Sequence, residues 1–87
     1  MVKITYNYES LDKHGITEQE ADEVYATGKD FDLEPSVSGN DRIMVVGWTS
    51  TGRLLEVGIE YLPHGHDHMF HASDATKPYR ELFEKEK

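Results

Sequence analysis

DRIMVVGWTSTGRLLEVGIEY, residues 41–61, carries the reading that decides the fold. Arg42 to Trp48 is a nearly continuous apolar run of strand length. Thr49-Ser-Thr-Gly52 is hairpin-turn chemistry, with Gly52 available for a left-handed backbone. Beyond the turn, Leu55, Val57, Ile59 and Tyr61 fall on one side of a returning strand, opposite Glu56 and Glu60. That alternation predicts a sheet with one buried face and one wet face.

The neighbouring segments extend this hairpin. Downstream, Pro63-His-Gly65 predicts a second turn into a strand over residues 68–72. Upstream, residues 30–37 predict a short strand with Phe31 and Leu33 on one side, its end made irregular or placed at an edge by Pro35. At the start, Val2, Ile4 and Tyr6 alternate with Lys3, Thr5 and Asn7, the pattern of a half-buried strand. Residues 9–14 allow one helical turn, ended by Gly15. Thr17-Glu-Gln-Glu20 is a capping box, followed by Ala21, Val24 and Tyr25 on one helical face and by Gly28 as a stop. Tyr79, Leu82 and Phe83 form one stripe of a terminal helix, in whose first turn Pro78 is tolerated. The expectation is an α+β fold forming a single domain over residues 1–87. An antiparallel meander of three or four strands and an N-terminal strand carry helices at about 17–27 and 76–86, packed on one face.

Composition narrows the functional classes. Hydrophobic content of 37% with 30% charged residues suits a globular domain and argues against full disorder. With no cysteine there is no thiolate metal site and no thiol nucleophile. No apolar run has the length of a membrane span, and MVKITYNYES lacks the apolar core of a signal peptide, so the cytoplasm is the expected compartment. Net charge is −8 and unevenly placed: residues 1–41 carry three Lys or Arg against ten Asp or Glu. An acidic front half repels polyanions, so nucleic-acid chemistry would need a local basic patch in the second half, while a basic protein partner suits the front.

HGHDHMFHASDATKPYR, residues 64–80, holds four of the five histidines. His64, His66 and His68 share a face if the segment is a strand, with Asp67 and His71 pointing the other way. Zinc sites need three or four rigid, convergent ligands, and two of these histidines flank Gly65 in an expected turn, so no metal or other cofactor is expected. His71, near a strand end, has the residue type for proton transfer near neutral pH. Arg53, Lys77 and Arg80 supply cations for a charged phosphorane, and Lys13-His14-Gly15 before a helix start suits phosphate contact. The plain alternative makes His71 a hydrogen-bonded, half-buried histidine, Lys77 and Arg80 solvated helix residues, and residues 13–15 a corner between helices.

Three stretches, in order, resemble the BrnT family of small toxins, relatives of the RelE-like ribonucleases of type II toxin–antitoxin pairs. KHGIT-EQEADEVY (13–25) resembles the family's Lys-His-Gly corner and following helix; DRIMVVGWTSTGRLLEVGIEY (41–61) resembles its central hairpin; HMFHASDATKPYRELFE (68–84) resembles its final strand and helix. The resemblance implies a cytoplasmic, metal-independent endoribonuclease that cleaves mRNA and is neutralised by a basic antitoxin, with DNA bound only through that antitoxin. The matching positions are His71, Arg53, Lys77 and Arg80 for catalysis, and Lys13 and His14 for substrate.

Departures from the pattern are specific. The family's last strand runs Arg-Ile-Ile-Ser-Ala-Arg, and here His68 stands at the first arginine and Ser73 at the last. Tyr79-Arg80 replaces a Glu-Arg pair, and Ser10 stands where the family has Asn. Serine has no charge to place on a phosphorane. Two readings follow: a divergent ribonuclease in which His71 and Lys77 take over, or a catalytically silent module that keeps the fold and binds a protein partner.

Overall fold

The computed structural model describes residues 3–85. Its elements are β1 (Lys3–Tyr6), α1 (Tyr8–Lys13), α2 (Glu18–Thr27), β2 (Lys29–Leu33), β3 (Arg42–Trp48), β4 (Leu54–Leu62), β5 (His66–Asp74) and α3 (Lys77–Lys85). The expected positions of Val2 and Glu86 in the first strand and last helix lie outside the described residues. β2 to β5 form the antiparallel meander, and β1 adds to its far edge, parallel to β5. The sheet is therefore five-stranded and mixed, in the order β1-β5-β4-β3-β2.

The central hairpin has the register its alternation demands: Ile43 faces Ile59, Val45 faces Val57 and Gly47 faces Leu55. Its turn closes through the Thr49 amide donating to the Arg53 carbonyl at 2.8 Å, with Gly52 at φ +87°. Ile43, Val45, Leu55, Val57, Ile59, Met69 and Ala72 make one sheet face, closed by Leu11 of α1, Ile16, and Ala21 and Val24 of α2. α2 starts at the capping box: the Glu20 amide donates to Thr17 Oγ1 and the Thr17 amide donates back to Glu20 Oε1, both at 3.1 Å.

The helix stop at Gly28 rests on space rather than on a left-handed backbone. Gly28 has φ −77°, an ordinary value. A Cβ there would sit 2.6 Å from the Val24 carbonyl oxygen and 2.7 Å from that of Val46, and one on Gly47 would sit 2.9 Å from Gly28 Cα. Two glycines thus let the end of α2 rest directly on β3.

The second sheet face corrects the one-sided expectation. Met44, Val46 and Glu56 lie there, and all are buried. α3 packs on this face, opposite α1 and α2, with Tyr79 against Phe31 at 6.1 Å between ring centroids. The helices therefore sit on both faces, because β3 is apolar on both sides and needs covering twice. β2 ends at Leu33, before Glu34-Pro35, earlier than the expected 37, because proline restricts the residue before it and lacks a ladder donor. No helix is long and apolar enough to cross a membrane among the described residues.

Candidate functional site

The site is organised by a bulge. Along β4 and β5 the register pairs Glu60 with His68 and Ile59 with Met69, then jumps so that Gly58 pairs with His71 and Glu56 with Ser73. Phe70 is the extra residue, and its ring lies where a Gly58 side chain would stand. An inserted residue reverses the alternation beyond it. His71 consequently lies on the same face as His68, not the opposite one as strict alternation predicts.

That reversal brings His71 to Glu56. His71 Nε2 lies 3.0 Å from Glu56 Oε2 and 3.2 Å from Ser73 Oγ. The His71 side chain is 34% exposed, whereas that of Glu56 is 4% exposed. The other carboxylate oxygen of Glu56 accepts from the Thr76 amide at 2.7 Å and from Thr76 Oγ1 at 2.8 Å, at the start of α3. Glu56 was expected on a wet face; it is a buried junction between β4, β5 and α3.

β1 stops at Tyr6 while β5 continues to Asp74, leaving β5 backbone groups without a strand partner. Polar residues of the α1 segment take over. The Asn7 amide donates to Met69 O at 2.9 Å, Asn7 Nδ2 donates to Phe70 O at 3.2 Å, and Ser10 Oγ bonds both backbone groups of Ala72. This holds the Lys13-His14 corner beside the bulge. Asn7, Ser10, Lys13, His14, Phe70 and His71 line one pocket of about 300 Å³, together with Glu9. Three of the six sequence-derived positions, Lys13, His14 and His71, are thus brought together.

The other three are elsewhere. Arg53 is occupied by the corner itself: Nη1 donates to Gly15 O at 2.9 Å, and Nη2 donates to His14 O and to Asp74 Oδ1, both at 3.0 Å. It braces the backbone behind Lys13 and His14. Arg80 is exposed and lines a separate groove of about 390 Å³ with Trp48, Leu54, Phe83 and Glu84. Lys77 is exposed at the first residue of α3.

Of His64, His66 and His68, only His64 stays in the turn, at φ +65°; His66 begins β5, two residues before the expected start at 68. Thr5 Oγ1 lies 2.9 Å from His66 Nε2 and 2.7 Å from His68 Nδ1, tying β1 to β5. Among the described residues no three His, Asp or Glu side chains are arranged to hold a metal ion.

Sequence reasoning missed Glu56, Ser10 and Asn7 as contributors. Glu56 carries one signal: it is a charged residue between two fully buried neighbours, Leu55 and Val57, in a sheet whose β3 partner Val46 is also apolar. In sequence the chain matches no protein-family model and no curated protein.

Proposed function

We propose that this chain is a BrnT-like toxin, a metal-independent endoribonuclease of the cytoplasm whose site is the pocket of Lys13, His14 and His71. One observation supports it above the others: a half-exposed histidine, held by a buried carboxylate, shares a pocket with two basic side chains from the far end of the chain. RNA can be cleaved by its own 2′-oxygen, which attacks the adjacent phosphorus as its proton leaves. The P–O5′ bond then breaks and the leaving oxygen gains a proton. The imidazole of His71 suits either proton transfer, and the Lys13 ammonium, with His14 beside it, stabilises the charged phosphorane between them. Arg53 contributes by fixing the corner that presents both residues, while Lys77 and Arg80 lie outside the pocket and contribute general positive charge near the α3 end. The acidic front half suits a basic antitoxin as the neutralising partner.

A second reading has its own observation. Arg53 is spent on internal acceptors, and Arg80 borders an exposed apolar groove in which Trp48 is 56% exposed. A catalytically silent module that engages a protein partner through Trp48, Leu54 and Phe83 fits that arrangement. The deciding experiment is cleavage of a long single-stranded RNA in EDTA, comparing the purified chain with His71→Ala. Cleavage that disappears with His71 supports the ribonuclease, and equal cleavage by both proteins removes His71 from the chemistry. No cleavage by either, across about pH 5 to 9 where an unperturbed imidazole changes charge, favours the silent module.

A further inference from the structure

We infer that Glu56 is a positioning residue for His71: its carboxylate fixes the imidazole proton on Nε2 and leaves Nδ1 as the nitrogen that accepts a proton. The use of Nδ1 in catalysis rests on the ribonuclease reading, whereas the placement of the proton does not.

The assignment follows from which groups can donate. Glu56 Oε1 takes two hydrogen bonds, from the amide and the hydroxyl of Thr76. The start of α3 adds its favourable dipole to a carboxylate placed there. An ionised carboxylate only accepts, so the contact between Glu56 Oε2 and His71 Nε2 needs a hydrogen on the nitrogen. Ser73 fits the same arrangement: with its one hydroxyl hydrogen donated to Asp74 O at 2.9 Å, Ser73 Oγ accepts from His71 Nε2 at 3.2 Å. Two acceptors converge on one ring nitrogen, which therefore carries the proton. In the neutral ring the lone pair is then on Nδ1, and no hydrogen bond to Nδ1 is made among the described residues.

A donor side chain such as arginine in place of Ser73 would approach Nε2 and compete with the imidazole for Glu56.

Glu56→Gln makes the inference sharp. Glutamine has one accepting oxygen, which the two Thr76 donors claim, so its NH₂ turns to His71. Nε2 must then accept, and the proton moves to Nδ1. The experiment is a long-range ¹H–¹⁵N spectrum of the full chain labelled at histidine, recorded near pH 8, above the ordinary imidazole pKa of about 6.5. His71→Ala identifies the His71 signals. We expect protonated Nε2 in the wild type and in Ser73→Ala, and protonated Nδ1 in Glu56→Gln with the other histidine signals in place. RNA cleavage by Glu56→Gln should fall by roughly 10²–10⁴-fold, the range attributed to a positioned acid or base. A wild-type His71 protonated on Nδ1 overturns the inference even if the glutamine variant does not fold. A folded Glu56→Gln that keeps its proton on Nε2 overturns it too. Wild-type protein with protonated Nε2 that cleaves no RNA overturns the ribonuclease reading and leaves the proton placement standing.

Discussion

Ser10 Oγ meets both backbone groups of Ala72, accepting from its amide at 3.0 Å and donating to its carbonyl at 3.1 Å. One hydroxyl thus substitutes for a strand at the point where β1 has ended, and it does so from the helix that carries Lys13. Ser10→Ala would leave both Ala72 groups without a protein partner. We expect a loss of about 1–3 kcal/mol, the usual cost of unmet polar groups that are partly shielded from water. A urea titration measures it directly. A midpoint equal to wild type would mean that water replaces the hydroxyl and that Leu11 and the two Asn7 bonds hold α1.

Gly28 and Gly47 form the contact between α2 and β3, and neither can be enlarged. The atoms that a Gly28 Cβ would strike include two backbone carbonyl oxygens, which move only if helix and strand separate. Gly28→Ala should therefore destabilise by about 1–3 kcal/mol through overpacking, although its φ suits alanine. A rise in melting temperature on that substitution would contradict the close approach.

The elements that local chemistry specifies were legible in the sequence. Thr17 and Glu20 form a reciprocal cap whose two partners lie three positions apart, and the hairpin from Arg42 to Leu62 is fixed by alternation and a four-residue turn. What local chemistry does not specify was not legible. A bulge at Phe70 leaves no mark in a run such as HMFHAS, since its cause is the space above Gly58 on another strand. Strict alternation consequently put His71 on the wrong face. The same limit applies to Glu56: a charge on an alternating strand is ordinarily wet, and only the helix brought over it by Thr76 makes it buried. Lys13, His14 and His71 were identifiable by residue type and by resemblance, but their meeting depends on Asn7 and Ser10 gripping the β5 edge.

Alkaline pH should loosen the α2 side of the molecule. Tyr25 donates to Asp67 Oδ2 and Tyr6 to Asp22 Oδ1, each at 2.5 Å. Burial first, and then the bond to a carboxylate, raises both phenol pKa values above the ordinary value of about 10. A raised acid is stabilising while it stays protonated in both folded and unfolded chains. That contribution is complete below about pH 10 and is lost as pH climbs from there toward the folded value. Urea midpoints at about pH 8 and 11 should therefore fall for the wild type, and fall less for Tyr25→Phe, which has no phenol to ionise. Equal slopes for the two proteins would remove Tyr25 from the effect.

Arg53 distinguishes a brace from a catalyst. Its guanidinium reaches the carbonyls of His14 and Gly15 and the carboxylate of Asp74 at once, a fork that a lysine ammonium cannot reproduce. Asp74 is 66% exposed at its side chain, so that ion pair adds little by itself, and the carbonyl bonds matter more. Arg53→Ala and Arg53→Lys should both lower the thermal midpoint, with a cost of about 1–3 kcal/mol for hydrogen bonds from a charged donor. RNA cleavage, where present, should fall with both variants, because the corner that presents Lys13 and His14 shifts. A phosphate-binding arginine predicts a different pair of results: stability unchanged in both variants, and part of the activity kept by lysine, which retains the charge. Thermal melts of the two variants beside the wild type therefore decide whether Arg53 acts on the substrate or on the backbone that faces it.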